Sequence, residues 1–213
     1  MDGETGFLAL EFDSLAGQDR HMSSQREIVL PPSIRLSGDG ILLREWAESD
    51  LSALVELYDD PEIDRWTPVP SPFDSRAARE YLTKAREGRE EGRKKAQLVI
   101  TTDGEQPRGE VLLFRSELDA RDVELAYGIG SQHRRKGLAS RAVTLMADYA
   151  CRQLGARRVL LRIETGNSPS LAVARATGFQ LTDDDPVTRE AKGRQVTLLT
   201  WCYQNSGVDS PSA

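Results

Sequence analysis

Val123-Glu124-Leu125-Ala126-Tyr127-Gly128-Ile129-Gly130 is nearly continuous in apolar character, which reads as a central strand of a sheet. A chain with such a strand must cover both of its sides, so a layered arrangement of helices and sheet is expected. The residues that follow narrow the choice. Gln132-His133-Arg134-Arg135-Lys136-Gly137 is a glycine-bearing turn with three consecutive cations, and Leu138, Ala142, Leu145, Met146 and Tyr149 then share one helix face. Strand, cationic turn and helix N-terminus form a plan for holding phosphates. The free N–H groups of the first helical turn and the helix dipole both favour an anion there. Gly137 lets the backbone come close without a Cβ in the way. The alternative is an ordinary solvated basic run before a helix. The turn has neither the G-x-x-x-x-G-K-[ST] spacing of a P-loop nor the G-x-G-x-x-G of a dinucleotide fingerprint.

Other segments supply the layers. Ile34–Leu36 and Ile41–Trp46 read as strands around Ser37-Gly38-Asp39-Gly40. Ser49-Asp50 is expected to cap a helix carrying Leu51, Leu54, Val55 and Tyr58, which Asp59-Asp60-Pro61 ends. Ile63–Phe73, with Pro68, Pro70 and Pro72, reads as a shaped loop, and Asp74 caps a charged helix running to about Gly92. Gln97–Thr102 and Gly109–Arg115 form a hairpin. Val159–Glu164 is a strand, Pro169–Thr177 a helix closed by Gly178, and Phe179–Thr182 and Gln195–Tyr203 return to the sheet. The order is β-α-α-β-β-β-α-β-α-β-β. Residues 1–33 read as a poorly ordered N-terminal extension, 34–204 as the domain and 205–213 as a polar tail.

Bulk numbers exclude several classes. A chain of 213 residues suits one domain. A net charge of −6 argues against a general nucleic-acid binder. Cys151 and Cys202 lack metal-ligand spacing and His21 and His133 are the only histidines, so no metal site is expected and both thiols read as reduced. No apolar run approaches the roughly 18 residues of a membrane span, and Met-Asp-Gly-Glu-Thr opens no secretory signal, so a cytoplasmic protein without a membrane partner is expected.

Arg134-Arg135-Lys136-Gly137-Leu138-Ala139 resembles the R-x-x-G-x-A acetyl-CoA signature of the GNAT N-acetyltransferase superfamily. Asn167-Ser168-Pro169-Ser170-Leu171-Ala172-Val173-Ala174-Arg175-Ala176-Thr177-Gly178-Phe179 resembles the N-x-x-S…GF segment of its branch of ribosomal-protein N-terminal acetyltransferases. Many members have glycine where Arg135 stands. The resemblance covers roughly residues 34–204. It implies a single α/β domain of mixed layers, with helices on both faces of a central, mostly antiparallel sheet splayed at the cofactor site. It also implies acetyl-CoA as cofactor, held by Tyr127, Gly128, Ile129, Arg134, Arg135, Lys136, Gly137, Leu138, Ala139, Asn167 and Ser170. A homodimer is a family-level expectation.

Acetyl transfer needs a neutral amine, donors for an oxyanion and a proton for the leaving thiolate. The resemblance offers Ser170 as general acid, against a plain early-helix cap. Asn167 suits the pantetheine arm and equally an N-cap. Glu124 is the candidate base and acceptor contact, against a solvent-facing glutamate, with Glu190 as a weaker alternative. Trp66, Pro68 and Pro70 are candidates for the acceptor wall, with core cover the rival for Trp66. Arg175 reaches the cofactor's ribose phosphate or decorates its helix. The expected activity is acetylation of a primary amine, foremost a protein N-terminus, by direct attack on the thioester. A small-molecule acceptor (antibiotic or polyamine) and a non-catalytic acyl-CoA sensor are the alternatives.

Overall fold

The computed structural model describes residues 27–90 and 92–204. Its strands are β1 (Leu36–Gly38), β2 (Ile41–Glu45), β3 (Lys95–Thr101), β4 (Gly109–Arg115), β5 (Asp122–Ile129), β6 (Arg158–Glu164), β7 (Gln180–Leu181), β8 (Val187–Ala191) and β9 (Arg194–Gln204). The helices are α1 (Leu51–Tyr58), α2 (Pro61–Trp66), α3 (Ser75–Glu87), α4 (Leu138–Arg152) and α5 (Ser168–Ala176). The sheet runs β1-β2-β3-β4-β5-β6-β9-β7, with β8 also on β9. Among the described residues only β5 and β6 pair in parallel, as expected when a helix, here α4, carries the chain between them.

Alternation assigns the faces. Leu98, Ile100, Val111, Leu113, Val123 and Leu125 point to one side and meet Ala142, Val143, Met146 and Ala147 of α4. Val99 points the other way and joins Trp46, Leu54, Leu57, Phe73 and Leu82 under α1 and α3. Each large apolar side chain buried this way contributes about 1.5–3 kcal/mol. β3 is buried on both faces, which explains its unbroken Ala96–Thr101 run.

Several boundaries differ from expectation. The Ile63–Phe73 stretch begins helically: the Asp60 carboxylate accepts from the Glu62 and Ile63 N–H groups at 2.9 and 3.1 Å, and Pro61 stands in the first turn of α2. Asp60 therefore starts α2 as well as following the end of α1. Asp50 does not cap α1 with its side chain. Arg44 captures its carboxylate with two bonds of 2.7 and 2.9 Å, and a 3-10 turn at Glu48–Asp50 leads into the helix. The charged helix ends at Glu87, and β8 makes a hairpin with β9 through Lys192-Gly193, both at positive φ. Packing also begins before residue 34, since Ile28 and Leu30 are buried and the Ile28 N–H donates to Ala120 O at 3.1 Å. The rest of the expected N-terminal extension and the tail from 205 lie outside the described residues.

The sheet opens where function requires space. The β5–β6 ladder runs from Asp122↔Arg158 to Leu125↔Leu161 and stops, although β5 continues on β4 to Ile129 and β6 on β9 to Glu164. The paired end is pinned by Asp122, 1% exposed, which takes Arg157 and Arg158 together. The strands thus diverge at the other end, as expected for a splayed sheet.

Candidate active site

The register of β5 defines the gap. Gly130 donates to Arg108 O at 3.1 Å and Ser116 to Asp122 O at 3.0 Å, so the even-numbered residues of β5 bond β4. The odd-numbered residues aim N–H and C=O toward β6. Past Leu125 that side has no partner strand, so the Tyr127 N–H and C=O and the Ile129 N–H face the opening. Ile129 O accepts from Arg134 Nε at 3.0 Å. Gly128 and Gly130 pack closely: a Cβ at Gly128 would come 3.1 Å from the Ile63 Cδ1 methyl, and one at Gly130 2.3 Å from the Leu57 Cδ2 methyl, so at Gly130 the leucine would have to move.

Across the opening stands the start of α5. Asn167 caps it, its Oδ1 accepting from the Ser170 N–H at 3.1 Å, so the capping role is real. The Tyr127 hydroxyl is buried beside Ser170 without a well-formed hydrogen bond. Burial pushes the phenol up and Ser170 pulls the other way, so Tyr127 keeps its proton at neutral pH. A buried hydroxyl with no settled partner beside an opening is a donor in waiting.

The cationic turn divides its labour. Gly137 is the N-cap of α4 at φ +71°, where any other residue is strained, and no side chain caps the first turn. Leu138 is buried beneath it and Ala139 is half-buried. Arg135 also has positive φ, is exposed, and carries no ion pair among the described residues. Lys136 Nζ bonds Gln132 O at 3.1 Å. Arg134 points away: its guanidinium donates to Asp60 at 2.6 Å as well as to Ile129 O. Burial opposes ionisation of Asp60, but Arg134 and the two α2 N–H groups outweigh it and hold the carboxyl low.

On the other face of the sheet, Glu124 lies in line with Ala126 and Gly128, as alternation requires. Its carboxylate stands 3.6 Å from both Arg162 Nε and Arg189 Nη2, so it bridges β5, β6 and β8. Trp66 is half-buried at the end of α2, its indole N–H on Glu62 at 3.1 Å and its ring edge over Gly166, one residue before Asn167. Pro68 and Pro70 are exposed, as is Glu190 on β8. Arg175 stacks on Trp201, 5.5 Å from the ring centre.

Several neighbours escaped sequence reasoning. Arg141 ties the turn to the β1–β2 loop by donating to Lys136 O at 3.0 Å and Asp39 O at 2.9 Å. His133 is buried with an unpartnered Nδ1 and is lowered, first by burial and then by Arg108 and Lys136, so it stays neutral. Asp60 binds a residue 74 positions away, and no local signal announces such a contact.

Known proteins share this fold. The acetyltransferase (GNAT) domain family matches residues 41–180. A Bacillus licheniformis protein described as uncharacterized N-acetyltransferase p20 is 24% identical over 158 residues, covering 74% of this chain and 89% of its own. Mycobacterium smegmatis RimJ, solved with CoA-disulfide, superposes with a TM-score of 0.68 at 19% identity over 84% of this chain and 89% of that one. Spermidine N-acetyltransferase from Vibrio cholerae, solved with CoA and spermine, gives 0.64 at 17% identity over 79% and 98%. Such identities establish a shared fold and leave the acceptor open. The profile spans the open edge of β5, the cationic turn and all of α5, and the chain belongs to the GNAT acetyltransferase family, N-acetyltransferases that use acetyl-CoA.

Proposed function

We propose that this acetyltransferase acetylates a protein N-terminus by direct attack of the amine on the thioester. The observation that carries the reading is the open edge of β5, where backbone donors with no β6 partner lie between the mouth of α4 and Ser170. The residues fit the cofactor: uncapped amides at Gly137–Ala139, exposed Arg135 and Lys136, and the unpartnered Tyr127 hydroxyl.

Acetyl-CoA supplies an activated acetyl thioester. The α4 amides with Arg135 and Lys136 hold its diphosphate, while Arg134 keeps the turn in place. Asn167 keeps its side-chain NH2 for the pantetheine arm. The Tyr127 N–H, left without a β6 partner, would be the donor to the thioester carbonyl oxygen as negative charge grows there. Ser170, backed by the Tyr127 hydroxyl, gives a proton to the departing sulfur. The N–C bond would form as the C–S bond breaks; the surplus amine proton would leave through water toward Glu124, and Ser170 would recover a proton from solvent, which closes the proton count.

Arg162 and Arg189 beside Glu124 favour a peptide over a polyamine. A polyamine brings several positive charges to two guanidiniums, whereas a peptide brings one amine and neutral amides. Thiol release from acetyl-CoA, measured across N-terminal peptides, aminoglycosides and spermidine, tests this. Peptides should lead by at least about 10-fold in kcat/KM. A faster rate with spermidine would reverse the acceptor assignment, and cofactor binding without thiol release would leave a sensor.

A further inference from the structure

Glu110 is 1% exposed, on β4 opposite Gly128, on the face that receives α1 and α3. A carboxylate so deep is costly to desolvate unless it is well bonded. Three donors from three parts of the chain converge on it: Trp46 Nε1 at 2.5 Å, the Tyr81 hydroxyl of α3 at 2.7 Å, and the Tyr58 hydroxyl of α1. Burial pushes Glu110 up, while the two tyrosines, Trp46 and, more weakly, Lys95 pull it back.

The contacts continue beyond this cluster. Tyr58 is the last residue of α1, and two residues on, Asp60 caps α2 and holds Arg134. Arg134 bonds Ile129 O, and Ile129 pairs with Gly109, the neighbour of Glu110. Glu110, Tyr58, Asp60, Arg134, Ile129 and Gly109 therefore form a closed circuit. One arc carries α1 and α2 with Trp66, the candidate for the acceptor wall. The other carries the cationic turn and the open edge of β5.

We propose that Glu110 and Asp60 are positioning residues that couple the acceptor wall to the cofactor turn. Neither faces the gap, so they act through Tyr58 and Arg134. The inference rests on the reading that the turn holds coenzyme A. A brace needed only for folding would cost stability and leave cofactor affinity unchanged.

Calorimetric titration with coenzyme A separates these cases in wild type, D60N, E110Q, Y58F and the D60N/E110Q pair. K192A serves as control, because it cuts a different tether of α2, the 2.5 Å pair between Lys192 and Asp64. D60N and E110Q should each weaken binding at least about 5-fold. The pair should be no worse than the weaker single variant, since both open one circuit, and K192A should stay within about 2-fold of wild type. If E110Q does not fold, Y58F replaces it, with the same loss and the same non-additivity beside D60N. Wild-type affinity in folded E110Q and Y58F, or losses that multiply in the pair, would overturn the proposal. Absence of heat in the wild type would instead remove the reading of the turn, and the coupling with it.

Discussion

Ser170 and Tyr127 bring two hydroxyls together from α5 and β5, and their environments differ. Tyr127 is held protonated by burial, so it can donate and cannot serve as a base. Ser170 is the group placed to pass that proton on. S170A should lower kcat at least about 10-fold, with Y127F causing a smaller loss and the double variant little more than S170A. Steady-state thiol release alongside calorimetry checks this, since coenzyme A affinity should hardly move; equal, additive losses would break the relay. A second prediction concerns stability. Asp119 is lowered to about 2, first by its bond from Arg121 and further by Arg157, against a penalty from burial. Its folded value lies below its unfolded value, so its contribution is complete above the unfolded pKa and fades as pH falls toward 2. D119N should cost at most about 2 kcal/mol in urea unfolding at pH 7, and roughly half that difference should be gone by about pH 3. A difference that grew on acidification would reverse the sign of the argument.

Among the elements, β5 shows how pairing and openness coexist in one strand. Its even-numbered amides are bonded to β4 throughout, whereas the odd-numbered ones lose β6 after Leu125. In hydrogen exchange the Leu125 amide should be protected and the Tyr127 and Ile129 amides fast, and coenzyme A should slow Tyr127 selectively. Equal protection along the strand would mean the gap is closed in solution. At the mouth of α4, G137A must place a Cβ at φ +71° although it would meet only Arg141 Nε at 4.0 Å, so about 1–2 kcal/mol of strain is expected. G130A meets Leu57 at 2.3 Å and should cost more, a ranking that thermal unfolding of the two variants can reverse or uphold. Legibility follows the same physics. The strand β5, the helix α4 and the cap at Asn167 were readable because each writes its own local pattern of periodicity, glycine and capping. α2 was hidden because Pro68, Pro70 and Pro72 advertise a loop while the helix is only six residues long and depends on Asp60 and Pro61. The point where β5 leaves β6 has no local signature, because the apolar run is the same on either side of Leu125. It was expected through resemblance alone. Arg134 read as a phosphate contact because its partner Asp60 is remote in sequence.

For the whole molecule, the paired end of β5 and β6 is locked by Asp122, Glu124 ties the last paired residues of β5 to Arg162 and Arg189, and Asp60 with Arg134 fixes the turn beyond the open end. Elements from both faces of the sheet thus meet around one opening, and a ligand that fills it binds the folded state alone. Coenzyme A at about 100 times its Kd should then add about 2.7 kcal/mol and raise the melting temperature by roughly 5–10 °C. The chain carries a net charge of −6, so an anionic cofactor gains nothing from long-range attraction and depends on the local cations of the turn. Arg135, exposed and outside any ion pair among the described residues, is the cation whose reversal changes that local field without breaking a contact. R135E should therefore cut the coenzyme A-induced shift markedly while leaving the melting temperature of the free protein unchanged, with the loss largest at low ionic strength. An undiminished shift in R135E would move the phosphates away from the turn, and a lowered melting temperature without ligand would show Arg135 to be a structural residue after all.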